Sequence, residues 1–413
     1  MFSREITNNA ILFSQILSYI EYKYNNYTVL HSSYKTSYSG DKTIIAFDVI
    51  ENIETLSYLS SKLHPEEPCK LFGYFTYEAF NDSYINKTRF PKLKFQHYRN
   101  HITINHTTNN IKFELVNQDI FEAIIAYTQK NKASRRFATC ERVSSNMTDE
   151  EFKQYVTDIR HDIENGEYYQ LNLTRKYWGK FGQDIDKISV FLNLAKEFPS
   201  PYSALIRHHD KYIISSSPER FIKIEDDNIT SRPIKGTLAK STAAKSGNDL
   251  YLSQKDRAEN LMIIDLMRND LSLSAESGSV ATGPLFEIDE FSNLYHMSTN
   301  VTATKKSQIA NIDVIRNSFP PASMTGAPKL AVTKRISELE KLSRGIYSGA
   351  IGYFDGDSYC DFNVVIRTII FDGNKFEYQV GGGITYDSDP ELELSETKTK
   401  AAKIRKVLGL IKL

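Results

Sequence analysis

Residues 350–402 read AIGYFDGDSYCDFNVVIRTIIFDGNKFEYQVGGGITYDSDPELELSETKTKAA, and the order of elements in this stretch decides the fold class. Three strand-like runs, near Ala350–Phe354, Phe362–Phe371 and Lys375–Val380, follow one another with no helical period between them. Helical spacing resumes only beyond Gly381-Gly382-Gly383, over Glu393–Leu413. Strands grouped in hairpins, rather than alternating strictly with helices, predict a large α+β fold with antiparallel sheets.

Towards the N-terminus the same texture continues. Helices are expected at about Lys255–Met267, Asn311–Arg316 and Lys329–Lys341, and strands at Tyr168–Trp178 and Tyr202–Ile214. The first of these strands puts Leu171 and Leu173 on one face and Gln170, Asn172 and Thr174 on the other, a polar face that solvent or a cleft would satisfy. A helix starts at Thr148, which forms a capping box with Glu151; Phe152, Tyr155, Val156, Ile159 and Ile163 then recur at helical spacing until Gly166. Upstream, residues 1–145 are rich in Tyr, Asn, Lys and Ile, with strand-like runs at Thr43–Asp48 and Lys70–Tyr77 and nothing that announces chemistry. The chain thus reads as an N-terminal region, 1–145, and a chemistry-bearing region, 146–413, with no repeat or low-complexity linker between independent domains.

The 413 residues suffice for a large core without disulfides or structural metals. Lys+Arg and Asp+Glu both total 51, so the neutral chain lacks the basic footprint of a nucleic-acid binder. With 40% hydrophobic and 25% charged residues it falls among ordinary globular proteins. No apolar run approaches the roughly 18 residues that span a bilayer, and Arg4 and Glu5 stand where a secretory signal needs apolar residues. A cytoplasmic protein is expected. Cys69, Cys140 and Cys360 are odd in number and form no CxxC pair, as suits a reducing compartment without cysteine chemistry.

Several constellations have the right residue types for a site. Asp256 and Glu259 lie three apart in KDRAENLMIIDL, and Glu393, Glu396 and Lys400 repeat the i, i+3, i+7 geometry in ELELSETKTK. Two such faces meeting across a cleft would offer hard oxygens to Mg²⁺; each alone also describes a solvated helix face. The glycine triplet allows either close approach of the backbone to an anion or a tight bulge. No Walker A or GxGxxG pattern accompanies it, so nucleotide binding is unsupported. The loop PPASMTGAPK (320–329) leads into a helix whose first turn can face an anion. Lys235 in RPIKGT is a cation in a short rigid segment, a nucleophile if desolvated and a surface group otherwise. His296 and Arg367 are unremarkable alone.

Taken in order, SPERF, RPIKGT, AENLMIIDLMRND, SMTGAPK, YSGAIGYF, VVIRTIIF and GGGITYDSDPELELSETKTKA resemble the chorismate-utilising enzymes, and within them the component I branch of the aminodeoxychorismate synthases. The resemblance runs from about Thr148 to Ala402; within residues 1–145 only GYFTYEAF (73–80) is similar to the family. It implies a sandwich of two interleaved antiparallel sheets around a central cleft. It also implies that Glu259 and Glu396 bind Mg²⁺, that Asp256 and Glu393 stand behind them holding the hydrated ion, and that the ion takes chorismate's ring carboxylate. Arg367, Tyr347 and the N–H of Gly383 match the groups that hold the enolpyruvyl carboxylate. His296 matches a cleft histidine placed among the catalytic groups with its role open. Lys400 matches a cleft lysine near the metal, and Gln170 and Thr325 are placed among the substrate-binding positions.

Two positions set the branch. Relatives that add water carry a lysine where this chain has Gln170 and an acid where it has Lys235; anthranilate synthases show alanine at the latter. The likeness implies that Lys235 attacks C2 of the ring as the C4 hydroxyl leaves, assisted by Glu219 of SPERF, and that ammonia then adds at C4 and expels the lysine. The product, 4-amino-4-deoxychorismate, leads to p-aminobenzoate and folate. Ala322 departs from the glycine usual before the SMTGAPK loop, and the LLES-type segment of tryptophan-inhibited relatives is missing. With no glutaminase Cys-His-Glu arrangement, ammonia is expected from a separate glutamine amidotransferase subunit. The alternatives are an anthranilate synthase component I, separable by its fluorescent product, and a membrane-surface or binding protein acting through KTKAAKIRKVLGLIKL. In that last stretch Ala401, Ile404, Leu408 and Ile411 equally suit a helix packed on its own core.

Overall fold

The computed structural model describes residues 1–7, 13–36, 38–39, 42–63, 69–81, 89–130, 140–240, 246–292 and 294–410. Every strand ladder among them is antiparallel, and the architecture turns on one long strand, Leu93–Asn105. Along one edge it pairs with Lys42–Ile53; its other edge is divided between Asn110–Leu115 and Lys70–Phe75. Two sheets therefore diverge from a common strand. One continues through Lys42–Ile53, Asn26–His31, Tyr202–His208, Lys211–Ser217, Thr368–Asp372 and Lys375–Ile384 to Gln170–Phe181. The other runs through Lys70–Phe75, Ala350–Asp355, Tyr359–Val364, Arg220–Glu225 and Asn228–Arg232 to Val301–Thr304. Strands from residues 1–145 thus pair directly with strands from beyond 200 in both sheets.

The chain visits the two sheets alternately, and the crossings are short. Lys211–Ser217 in the first sheet leads through Pro218 and Glu219 into Arg220–Glu225 of the second. Tyr359–Val364 in the second leads through residues 365–367 into Thr368–Asp372 of the first. The uninterrupted strand expected over Phe362–Phe371 is therefore two strands, broken where Arg367 adopts φ 52°. The apolar run persists because both halves are buried, so hydrophobicity alone does not mark the change of sheet. Tyr202–Ile214 is likewise a hairpin, turning at His209 with φ 55°.

Local signals served the helices better. Asp149–Glu164 opens with the anticipated capping box: the Glu151 N–H donates to Thr148 Oγ1 at 3.1 Å, and the Thr148 N–H donates to Glu151 Oε2 at 2.7 Å. Gly166 follows it at φ 79°. The last helix, Pro390–Val407, begins three residues before Glu393 because the Asp389 carboxylate accepts from the N–H groups of Glu391 and Leu392. Ala401, Ile404, Val407 and Leu408 are buried in the core formed with Phe13–Lys23, Gln118–Lys130 and Lys187–Glu197. A membrane-surface role needs that face exposed, so the structure removes its basis; Ile411 lies outside the described residues. None of the described helices is long and apolar enough to cross a membrane. A second core lies under the other sheet and includes Ile264, Met267 and Leu271 of Gln254–Ser272 and Ile312 and Ile315 of Asn311–Ser318. A small third sheet, Ile234–Ala239, Leu294–Ser298 and Glu287–Glu290, closes one side of the space between the long helices.

Candidate active site

A cavity of about 580 Å³ lies where the sheets, the third sheet and the two long helices meet. Its walls include Glu219 and Arg367 from the two crossings, Lys235 and His296 from the third sheet, and Tyr347 from the turn before Ala350–Asp355. The crossings brace each other: the Val364 N–H donates to the Glu219 carbonyl at 3.1 Å, Ser217 Oγ donates to the Val364 carbonyl at 2.6 Å, and the Ser216 N–H donates to the Arg367 carbonyl at 3.1 Å. A fixed arrangement of this kind can carry the left-handed backbone at Arg367, which costs about 1–3 kcal/mol in a free chain.

Lys235 occupies an irregularity in its ladder, where the register with Leu294–Ser298 shifts between Ile234 and Thr237. Gly236 beside it takes φ 94°, and a Cβ there would stand 3.1 Å from Asp256, so glycine meets both the conformation and the close approach. Burial pulls the Lys235 ammonium below its ordinary value, against the opposing attraction of Glu259 and Glu219. Burial pushes the enclosed Glu219 carboxyl up to about 7, so it is partly protonated at neutral pH. His296 accepts from Arg367 Nη2 at Nε2 (3.0 Å), because a guanidinium can only donate; its Nδ1 therefore carries the proton and donates to Thr237 Oγ1 at 2.8 Å. Burial and the Arg367 charge hold it neutral. His296 thus orients Arg367 and does not present a free acid to the cavity.

Helices furnish the other end. Gln254–Ser272 contributes Lys255, Asp256 and Glu259, and Pro390–Val407 contributes Glu393, Glu396, Thr399, Lys400 and Lys403. Ser388 Oγ donates to Glu393 Oε1 at 2.8 Å, while burial raises the Glu393 and Glu259 carboxyls. Glu396, with its side chain 57% exposed, takes the Lys400 ammonium at 2.6 Å, which holds its carboxyl low. Lys400 also donates to the Gly381 carbonyl at 2.9 Å, and Lys255 approaches Glu259 at 4.0 Å. Ammonium groups thus stand where a divalent cation would satisfy the same carboxylates. Among the described residues no group of three or more His, Cys, Asp or Glu forms a metal cage. Mg²⁺ is commonly held by one or two carboxylates with water and a substrate anion completing its shell, and this donor set fits that mode.

Eleven expected site residues therefore line one cavity: Lys235, Glu219, His296, Tyr347, Arg367, Gly383, Lys400, Glu259, Glu396, Asp256 and Glu393. Thr325 does not. Its hydroxyl turns back to the carbonyls of Pro321 and Ala322, and its neighbours Ser323 and Met324 form the wall instead. Gln170 is buried just behind the wall, where a Cβ on Gly383 would lie 2.3 Å from its Nε2 and 3.2 Å from Lys235 Nζ. The glycine triplet does not follow the strand but continues it to the end of Lys375–Ile384, paired with Asn172–Thr174; a Cβ on Gly381 would strike the Leu173 carbonyl at 2.1 Å. Sequence reasoning passed over Lys255 and Lys403, although their spacing from Glu259 and Lys400 places each on the same helix face. Asn172, from the polar strand face that a cleft would satisfy, does line the cavity. Support comes from further afield: Glu78 of GYFTYEAF accepts from Ser343 Oγ and the Arg344 N–H, both at 2.8 Å, and Arg344 donates to the carbonyls of Met324 and Asn172.

A model of chorismate binding enzymes matches residues 16–406. The chain is 33% identical over 343 residues to aminodeoxychorismate synthase component 1 of Salmonella typhimurium, covering 81% of this chain and 75% of that relative. It is 37% identical over 270 residues to the chloroplastic aminodeoxychorismate synthase of Arabidopsis thaliana, covering 62% of this chain but 29% of that longer relative. To anthranilate synthase component 1 of Archaeoglobus fulgidus it is 31% identical over 373 residues, covering 90% and 88%. Among solved structures, the menaquinone-specific isochorismate synthase MenF of Escherichia coli superposes with TM-score 0.80 at 17% identity, covering 98% of this chain and 94% of that one. Anthranilate synthase component I of Streptococcus pneumoniae does so with TM-score 0.78 at 23% identity, covering 98% and 100%. These two likenesses concern the fold. With the family model spanning nearly its whole length, the chain belongs to the chorismate-binding enzymes.

Proposed function

We propose that this chain aminates chorismate at C4, as an aminodeoxychorismate synthase component I supplied with ammonia by a separate glutamine amidotransferase subunit. The observation that carries the reading is the convergence of Gln170, Lys235 and Gly383. The two positions that separate the branches of the family, 65 residues apart in sequence, are both within 3.2 Å of where a Gly383 Cβ would stand, at the cavity wall. A neutral amide stands where water-adding relatives carry a lysine, and an amine of lowered pKa stands where they carry an acid.

In this reading the Lys235 amine, neutral at the moment of attack, forms a bond to C2. Both ring double bonds shift, C1=C2 to C1=C6 and C5=C6 to C4=C5, and the C4–O bond breaks, while protonated Glu219 gives its proton to the departing hydroxyl, which leaves as water. Ammonia then bonds to C4, both double bonds shift back, and the C2–N bond breaks with its electron pair returning to Lys235. The proton lost by the new C4 ammonium restores Glu219. Arg367, oriented by His296, and Tyr347 hold the enolpyruvyl carboxylate. Mg²⁺ bound by Glu259 and Glu396 would hold the ring carboxylate and offset its charge.

The test is intact-protein mass after mixing with chorismate and Mg²⁺ in the absence of ammonia. Wild type should gain the mass of chorismate less one water, and Lys235→Ala should gain none. Unchanged amination by Lys235→Ala would make Lys235 a bystander, overturn the reading and reopen the choice against the anthranilate branch, which its fluorescent product distinguishes.

A further inference from the structure

Lys403 lies one turn beyond Lys400 on Pro390–Val407 and lines the cavity beside Phe198, Arg367 and Ile404. Of the other cavity lysines, Lys400 pairs with Glu396, Lys255 approaches Glu259 at 4.0 Å, and Lys235 lies in the field of Glu259 and Glu219. Lys403 makes no hydrogen bond or ion pair with any described residue. The acid that acts on it, Glu197, is held by Lys406 at 2.7 Å. Arg367 is in the same position. Its guanidinium lies over the Phe198 ring at 5.3 Å and donates to neutral His296, with no carboxylate in ion-pair contact among the described residues. Glu219, which attracts it, is pushed up to about 7 by burial and so carries only part of its charge near neutral pH.

Among the described residues this end of the cavity therefore holds two cations without an ion-paired carboxylate, in partly desolvated surroundings where an uncompensated charge is costly. Along the helix, Lys403 stands seven residues from Glu396, roughly 10 Å at 1.5 Å per residue. The carboxylates and the unpaired cations thus occupy separate ends, as a substrate with two anionic groups would require.

We propose that Lys403 is the second cation of a two-cation carboxylate subsite: from the C-terminal helix it meets the substrate carboxylate that Arg367 meets from the sheet crossing. The proposal rests on the cavity being a chorismate site, and names a group that fixes which carboxylate goes to which end. A cation on each side discriminates for a substrate bearing the side-chain carboxylate and against one lacking it.

The test is equilibrium binding of chorismate with Mg²⁺, performed in a Lys235→Ala background so that no covalent capture intervenes. Adding Lys403→Ala should raise Kd about tenfold, the size of one charge-assisted contact. Lys403→Met, which keeps an unbranched stem without the charge, should be as weak as Lys403→Ala, while Lys403→Arg should stay within about twofold of the parent. With Lys235 intact, Lys403→Ala should raise KM and leave kcat within about twofold. If Lys403→Met binds like the parent, the stem and not the charge is at work and the proposal falls. Binding by the parent that Lys403→Ala leaves unchanged overturns the Lys403 assignment alone. No binding by the parent overturns the chorismate reading beneath it.

Discussion

At one end of the cavity the functional groups ride on helices; at the other they come from places where strands change sheets. Asp256, Glu259, Glu393, Glu396 and Lys400 repeat at three and four residues along Gln254–Ser272 and Pro390–Val407, their spacing dictated by the 3.6-residue turn. Glu219, Lys235 and Arg367 obey no period. Each sits in an irregular segment: a two-residue crossing, a register shift beside Gly236, and a left-handed residue between two strands. Glu396 and Lys400 stand open to solvent with Glu393 buried behind them, whereas Glu219 and His296 are almost completely enclosed. The difference teaches a division of labour. An open carboxylate face can exchange a hydrated cation and admit an anionic substrate, while proton and covalent chemistry require a desolvated corner where a carboxyl can stay protonated and an amine neutral.

If the helical end holds a divalent cation, Glu259→Gln or Glu396→Gln should lower turnover by about 10³ or more with the fold retained by circular dichroism, and EDTA should do the same to wild type until Mg²⁺ is restored. Full activity in EDTA would break the distinction between the two ends. At the other end, Glu219→Gln should slow adduct formation from chorismate by about 10²–10⁴. The pH dependence sharpens the point. Because the protonated carboxyl is the reactive form and its midpoint lies at about 7, while the neutral share of Lys235 grows with pH, the wild-type rate of adduct formation should level off as pH rises through that value. A Glu219→Gln variant should keep climbing with pH, so the ratio of wild-type to variant rate should fall. Stopped-flow mass or absorbance measurements without ammonia would show it, and a wild-type rate that climbs steadily past pH 8 would exclude Glu219 as the acid. The smallest effect is expected remote from both ends: Thr148→Ala should cost about 1 kcal/mol of stability by urea unfolding and leave KM unchanged.

What could be read in advance follows the same division. The capping box at Thr148, both carboxylate faces and the antiparallel α+β character depend on residues within a few positions of one another, and all were legible. The break at Arg367 was not, because Phe362–Phe371 is apolar on both sides of the crossing and the two halves find partners in different sheets. The loop 320–329 was recognised, but Thr325 was chosen where Ser323 and Met324 face the cavity, since a turn of this kind is oriented by distant groups such as Arg344.

By itself, then, the sequence determined the element types, the spacing of the acids and, through the order of its motifs, the family. Only the tertiary structure decided that Gln170 and Lys235 meet at Gly383, that His296 is a neutral acceptor for Arg367, and that Lys403 makes no ion pair among the described residues. Helix periodicity is set by hydrogen bonds four residues apart, whereas a strand's neighbours, and every group delivered where strands part, are set by ladders closed between segments as distant as Asn26–His31 and Tyr202–His208.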